Sequence, residues 1–216
     1  MLVVVKLIKK EILLEWRQRY ALNGILLQVL SSVFVVFLAT KQINNPTWNG
    51  IFWIVMLFIS INAIAKSFIG EGKGRNLYYH MLVQPQQLLL AKFIYNALLN
   101  LVLVSLCIFA FIVLLGNPIQ SFALYYLVSV LGCIGFASTF TMLSAISSKA
   151  GNSNLLMPVL SLPIIIPLLL IIIKASMRSM DGLDDVLIFK DLGILALFNV
   201  LILSLAYVLF PIIWKE

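Results

Sequence analysis

Charged residues are scarce in this sequence. Asp, Glu, Lys and Arg together make up 11% of its 216 residues, whereas hydrophobic residues make up 62%. A soluble domain carries roughly 25% charged residues, and a soluble fold of this length could not bury so much apolar surface. The eight acidic residues lie outside the long apolar stretches, where no catalytic constellation is visible. The composition excludes a soluble enzyme and predicts an all-α integral membrane protein.

Cysteine and histidine are also rare, and they form no metal-binding or redox pattern. Cys107 and Cys133 lie inside apolar stretches without a CxxC pair, so we expect packed thiols and no disulfide framework. His80 has no second ligand or nucleophile beside it. The glycine-rich segment 70–75 does not match the phosphate-binding pattern G-x-x-x-x-G-K-[ST]. We therefore predict no catalytic, metal-binding or cofactor-binding residue, and any ATP must bind to another chain.

Long apolar stretches predict six membrane-spanning helices in a single transmembrane domain, residues 1–216. A helix needs about 20 mostly apolar residues to cross a bilayer, and continuous rather than alternating stretches exclude a β-barrel. The predicted spans are residues 22–40, 51–69, 88–115, 122–147, 155–173 and 192–213.

The distribution of basic residues predicts the orientation of the spans. Eleven of the 15 Lys and Arg residues lie on the side that holds both termini, and four lie on the other side. The positive-inside rule places both termini in the cytoplasm. The net charge of +7 then reflects membrane orientation and not nucleic-acid binding. All four Asp residues fall in the predicted periplasmic loop 174–191, which is long enough for a short helix with an acidic rim.

Residues 2–20 predict an amphipathic helix that lies in the cytoplasmic membrane interface. Its apolar residues recur at helical spacing, as is typical of interfacial helices: Val5, Ile8, Ile12, Trp16 and Tyr20. Basic residues lie mostly off this stripe, and Leu7 and Leu14 break the pattern. The alternative is that the segment extends the first span into water.

The predicted cytoplasmic loop 70–87 carries the pattern of a short helix. Leu77, Met81 and Leu82 fall on one side of it, and Pro85 ends it because proline lacks a backbone donor. Lys92 follows at the membrane edge, where its stem can snorkel. A short helix of this kind suits insertion into a partner's groove; an ordinary connection between spans is the alternative.

Two motifs resemble known membrane proteins. Glu71-Gly72-x-x-Arg75-x-Leu77-x-x-x-Met81-Leu82-x-x-Pro85, followed by Leu90-Ala91-Lys92, resembles the coupling loop of ABC-2-type exporter permeases. Lys149-Ala-Gly151 and the proline-rich stretch 155–170 are similar to the same region of CcmB, the haem exporter protein B of cytochrome c maturation. Length, six spans and a short tail also fit CcmB. The resemblance implies that ATPase coupling is carried by Glu71, Gly72, Arg75, Leu77, Met81, Leu82, Pro85 and Lys92.

The resemblance to CcmB also implies partners and a location. It implies a permease subunit in the cell inner membrane, which acts as a homodimer with a CcmA-like ATP-binding subunit. Membrane proteins like CcmC and CcmD and a haem chaperone like CcmE would complete the system. ATP would bind the partner subunit, haem would be handled by partners, and no cofactor would bind this chain directly. Two alternatives stay open: an ABC-2-type permease for a glycan, lipid or drug, and a non-transporting assembly scaffold.

The fourth and fifth spans carry two further patterns. Ala137, Thr141 and Ala145 are spaced by four and predict close helix packing, within the chain or across a dimer. Pro158, Pro163 and Pro167 each remove a backbone donor. The carbonyls that they leave free need partners in lipid, so we expect the fifth span to be bent and packed against protein. It is either a static kink or a gate.

Asparagines within the predicted spans suggest polar contacts inside the bundle. They are expected to form hydrogen bonds between helices, with the lining of a path as the alternative: Asn62, Asn96, Asn100 and Asn199.

Overall fold

The computed structural model describes residues 2–17, 19–40, 43–65, 84–149, 153–182 and 185–215, and all the regular structure in these ranges is helical. The helices are α1 (Leu2–Arg17), α2 (Arg19–Ala39), α3 (Asn45–Ile64), α4 (Pro85–Leu115), α5 (Phe122–Lys149), α6 (Ser153–Met180) and α7 (Asp185–Lys215). The prediction of an all-helical chain is confirmed for the described residues.

Five of these helices contain segments that are long and apolar enough to cross a bilayer. They are Asn45–Ile64, Pro85–Leu115, Phe122–Ser148, Val159–Met180 and Val186–Ile212. The described apolar part of α2, Asn23–Ala39, lies at the lower limit of length for a spanning helix. The structure therefore supports a multi-pass membrane protein, and the sixth span stays a prediction.

Helix α5 is the centre of the bundle. It packs most extensively against α6 and α7 and also contacts α3 and α4. Two glycines permit this close approach, because a Cβ at Gly132 would lie 2.9 Å from Cη2 of Trp53, and one at Gly135 would lie 2.8 Å from Oδ1 of Asn199.

An aromatic cluster fills the bundle near the turn between α4 and α5. Phe52 contacts Phe111 edge to face, with ring centroids 5.4 Å apart, and Trp48 contacts both Phe111 and Tyr125. Trp53 joins the cluster through Phe52. Two of the four tryptophans of the sequence, Trp48 and Trp53, are thus buried together in the core.

The region between α6 and α7 differs from the predicted loop 174–191. Helix α6 continues to Met180 and α7 begins at Asp185, so most of the expected loop is helical. The Nη1 atom of Arg178 lies 2.6 Å from Oδ2 of Asp191 and ties the two helical ends together. Hydropathy predicts only the part of a helix that lies in lipid. Here α6 and α7 extend beyond their apolar parts, where Arg178 and Asp191 form an ion pair.

Helix α1 packs onto the bundle through a face that includes Ile8 of the predicted stripe and Leu7, which the stripe left out. Leu7 is buried in a cluster with Leu88 and Leu89 of α4 and Phe210 of α7. The interpretation of Leu7 as an interruption is wrong, because it lies at the centre of the packed face. Since α1 rests on the bundle, the alternative of an extension into water also fails.

The exposed surface of α1 carries both apolar and basic residues. Val5 and Ile12 are exposed and share one flank of the helix. Lys6, Lys9 and Arg17 are exposed on another flank. This surface suits the boundary between acyl chains and water, where the sequence predicted α1 to lie.

Candidate functional site

The candidate site lies at one end of the bundle, where the predicted coupling loop joins α3 and α4. The loop residues Glu71, Gly72, Arg75, Leu77, Met81 and Leu82 lie outside the described residues. Its two flanks are described: α3 leads to Ala65, and α4 begins at Pro85. We call this the α1 end of the bundle.

Pro85 occupies the first turn of α4 and does not terminate a helix within the described residues. Gln84 before it has extended backbone angles, φ −68° and ψ 138°, and its carbonyl accepts from the N–H groups of Gln87 and Leu88. Proline suits this position because the first helical residue needs no backbone donor. The sequence therefore defines where the loop ends and the span begins.

The other flank of the loop is held against α5. The hydroxyl of Ser144 donates to the carbonyl of Ala65, at 3.3 Å, just after the last turn of α3. This contact gives a carbonyl at the end of α3 a hydrogen-bond donor on α5. Both ends of the loop are thus anchored to described helices.

Lys92 is the most unusual residue of this end, because it is charged and buried. Its side chain is 1% exposed, and its Nζ atom lies 3.7 Å from Oε1 of Glu11 on α1. The same carboxylate oxygen accepts from Nζ of Lys10 at 3.1 Å. The expectation that Lys92 snorkels at the membrane edge is wrong, because α1 covers it and provides its counter-ion.

Glu15 lies one helical turn beyond Glu11 and belongs to the same cluster. Burial raises the pKa of its carboxyl above the ordinary value, and the charge of Glu11 raises it further. The ammonium of Lys92 acts in the opposite direction and lowers that pKa. Two carboxyl groups on α1 therefore share the field of one buried ammonium on α4.

Sequence reasoning assigned no role to Glu11 and Glu15. A signal was present, because they are the only two acidic residues among the first 70 and stand four residues apart. That spacing places both on one face of α1, with Leu7 and Ile8. Their partner, Lys92, lies at least 77 residues further along the chain, and no nearby sequence pattern indicates the pairing.

A polar stripe continues from Lys92 into the bundle along α4. Asn96 donates to Oγ1 of Thr141 on α5 at 2.8 Å, and Ser60 of α3 donates to Oδ1 of Asn100 at 2.8 Å. Lys92, Asn96 and Asn100 are spaced by four, so they share one face of α4. The prediction of hydrogen bonds between helices is confirmed for these two asparagines.

The remaining asparagines behave differently from each other. Nδ2 of Asn199 on α7 donates to the carbonyl of Leu131 on α5 at 3.0 Å. Asn62 is exposed on α3. The same residue type in a span therefore acts as an interhelical contact only where it faces a neighbouring helix.

The small residues of α5 lie inside the chain. Ala137, Thr141 and Ala145 are each at most 2% exposed. Thr141 accepts the hydrogen bond from Asn96, and Ala145 joins the cluster beneath α1. Thr141 and Ala145 thus contact helices of the same chain.

The proline-rich helix α6 packs against protein on one side only. Its backbone is helical through Pro158, Pro163 and Pro167, and the side chains of the latter two are exposed. The expected packing of this helix against protein is found on its opposite side, and its role as a static kink or a gate stays a prediction. Because α6 buries its other side, with Ile165 and Leu168, against the core, the proline face turns outward.

The described part of the site holds helices together through an ion pair and hydrogen bonds. No group of three or more His, Cys, Asp or Glu residues that could hold a metal occurs among the residues searched, those that the structure describes. Five long apolar helices with buried charge and buried hydrogen bonds between them define a multi-pass helical membrane protein, and this architecture is consistent with a permease.

The family follows from comparison with known proteins. The model of the CcmB protein family matches residues 2–210, so the chain belongs to the CcmB family, as the sequence motifs predicted. Members are permease components of an ABC transporter of cytochrome c maturation and are non-catalytic membrane subunits. No curated protein and no solved structure matches the chain.

Proposed function

We propose that this chain couples ATP hydrolysis by a separate CcmA-like subunit to haem delivery or to release of a haem-loaded CcmE-like chaperone. The observation that carries the proposal is the family match over residues 2–210. The anchored loop at the α1 end supports it, because its flanks, Ala65 and Pro85, lead directly into two apolar helices. A force on the loop would reach both helices.

The coupling residues are those of the loop and its junction with α4. Glu71, Gly72 and Arg75 would make polar contacts at the groove of the ATPase. Leu77, Met81 and Leu82 would fill the groove, as apolar residues of a docked helix do. Pro85 and Lys92 would pass the movement to α4.

The topology that goes with this function has six spans and places both termini in the cytoplasm of the cell inner membrane. The exposed basic residues of α1 support the orientation, because cytoplasmic segments carry excess Lys and Arg. The α1 end would then face the ATPase, and the turn between α6 and α7 would face the periplasm.

The working assembly is a homodimer with CcmC-like and CcmD-like membrane proteins and surrounding lipid. In this proposal ATP binds the partner subunit and haem is handled by the other partners, without a cofactor bound directly to this chain. The outward face of α6, with Pro163 and Pro167, is apolar on both sides of the prolines, since Leu162 and Ile166 are exposed. Such a face supports contact with lipid or a second copy.

The test is purification of the tagged chain in mild detergent, followed by mass spectrometry of its partners and a haem absorbance scan. We expect an ATP-binding subunit together with a haem-binding membrane protein. A deletion strain should lose its c-type cytochromes, which haem staining measures. An ATPase without haem, and c-type cytochromes that survive deletion, would indicate a permease for another cargo. An intact complex without an ATPase would support the scaffold.

A further inference from the structure

The cluster of Lys92, Glu11 and Glu15 joins two helices that have different roles in the proposed function. Helix α4 begins where the coupling loop ends, whereas α1 lies outside the long apolar helices and rests on them. Lys92 is two turns into α4, about 10 Å from Pro85 at 1.5 Å per residue. It is the first charged residue of α4 that a movement of the loop reaches.

The burial of Lys92 makes the contact between α1 and α4 obligatory. A buried charge that loses its partner is strongly unfavourable, and near the bilayer an ionised side chain needs partners within the protein. The carboxylate of Glu11 provides that partner at 3.7 Å, and the nearby carboxyl of Glu15 shares the field of the same ammonium. A movement of α1 away from α4 would therefore break the ion pair with Glu11 and uncover the buried side chain of Lys92.

The surroundings show that packing alone does not require an ion pair here. Leu88, Leu89 and Ala91 of α4 are buried in an apolar cluster with Leu7. Apolar residues in place of a buried ion pair often maintain stability. The apolar contacts alone would allow α1 to shift along α4. The ion pair therefore fixes the position of α1 relative to α4.

We propose that Glu11 and Glu15 are positioning residues that act through Lys92, so that α1 moves with the start of α4 and takes part in coupling. This inference rests on the proposed function and adds α1 to its moving parts. The polar contacts further along, Asn96 with Thr141 and Asn100 with Ser60, hold the deeper part of α4 to α5 and α3. The coupling movement is then confined to the first turns of α4 with α1 attached.

The test uses the complete complex in a strain that lacks the native chain. Lys92→Met removes the charge and retains length, Lys92→Arg retains the charge, and Lys9→Met removes an exposed lysine of α1 as a matched control.

Three quantities are measured: membrane-inserted complex with bound ATPase, ATP hydrolysis, and c-type cytochromes by haem staining. With Lys92→Met, cytochrome formation should fall at least roughly fivefold, the lower end of coupling effects between sites, while complex and hydrolysis stay within about twofold. Lys92→Arg and Lys9→Met should match the native chain.

Two further variants keep the test independent of misfolding. The pair Glu11→Gln with Glu15→Gln should uncouple in the same way. Reversal of the charges, Glu11→Lys with Lys92→Glu in a Glu15→Gln background, should restore cytochrome formation, which a purely steric role would not allow.

The outcomes separate this inference from the proposed function. If the native chain does not support c-type cytochromes, the proposed function fails and α1 has no coupling role. If the native chain does and Lys92→Met equals it, the positioning role alone is overturned. Loss of the complex in both Lys92→Met and the double Gln variant would mean that the cluster only holds the fold, which also overturns it.

Discussion

Asn96 on α4 donates a hydrogen bond to Thr141 on α5 over 2.8 Å, and each residue is 1% exposed. The bond connects the helix that follows the coupling loop with the central helix of the bundle. Thr141 also belongs to the row of small residues that lets α5 approach its neighbours. One side chain thus serves both close packing and polar contact, a combination that helix association in lipid favours.

Replacement of this pair should weaken the bundle by a measurable but modest amount. Asn96→Leu and Thr141→Val should each lower the free energy of unfolding. Their interaction energy in a double-mutant cycle should be about 0.6 kcal/mol and at most about 1.7 kcal/mol, the mean and the maximum found by such cycles in a helical membrane protein. Unfolding in mixed detergent measures this. Asn62→Leu, on an exposed face, is the control and should have no coupling to Thr141→Val. A zero interaction energy between Asn96 and Thr141 would contradict the contact.

Gly132 should not tolerate a side chain, because its neighbour cannot move away. A Cβ there would lie 2.9 Å from Cη2 of Trp53, whose indole N–H is held by Oγ of Ser176 at 2.9 Å. Gly132→Ala should lower the free energy of unfolding by about 1–3 kcal/mol, as overpacking does.

The matched control for this prediction is Gly193→Ala on α7. A Cβ at Gly193 meets nothing within 4 Å, so the change should be neutral or stabilise by up to about 1 kcal/mol through helix propensity. Thermal unfolding in detergent compares the two variants. Equal stability of both would mean that α5 and Trp53 are not in close contact.

Hydropathy predicted the long apolar helices, and the presence of asparagines within apolar stretches predicted the hydrogen bonds of Asn96 and Asn100. These features are local, because each can be recognised from a residue and its immediate neighbours in the sequence. The pairing of Lys92 with Glu11 was not predictable in this way, since it depends on how α1 folds back on α4. The buried face of α1 was missed for a related reason: α1 is apolar on two sides, and the sequence alone does not say which side meets protein.

Glu15 should make the stability of the chain depend on pH in a defined direction. Its pKa is raised above the ordinary 4.5 by burial and by Glu11, so the folded chain retains this proton to a higher pH than the unfolded chain. The contribution of Glu15 to the free energy of unfolding should therefore fall as pH rises from about 4.5 through the raised pKa, and stay low above it. Glu15→Gln removes this loss.

Thermal unfolding from about pH 4 to about pH 7 tests the sign. The melting temperature of Glu15→Gln relative to the native chain should increase with pH. Lys9→Met, which removes an exposed charge from the same helix without removing an acidic group, should shift the melting temperature equally at every pH. A difference between Glu15→Gln and the native chain that stays constant or decreases with pH would show that Glu15 is not in the buried environment of α1.

Leu82→Asp should separate ATP hydrolysis from function. A carboxylate in place of an apolar residue of the docking helix would have to be desolvated in the groove of the ATPase, which is costly without a partner. We expect c-type cytochrome formation to fall by at least roughly tenfold, equivalent to about 1.4 kcal/mol. The spans should still insert, because the change lies outside the apolar helices.

The matched control is Gln84→Asp, which places the same charge at an exposed position where an acidic side chain suits the start of α4. Haem staining, membrane abundance and hydrolysis by the purified complex are measured for both variants. Normal cytochrome formation in Leu82→Asp would overturn the docking role of the loop, whereas equal loss in Gln84→Asp would assign the effect to charge near the membrane and not to the apolar face of the helix.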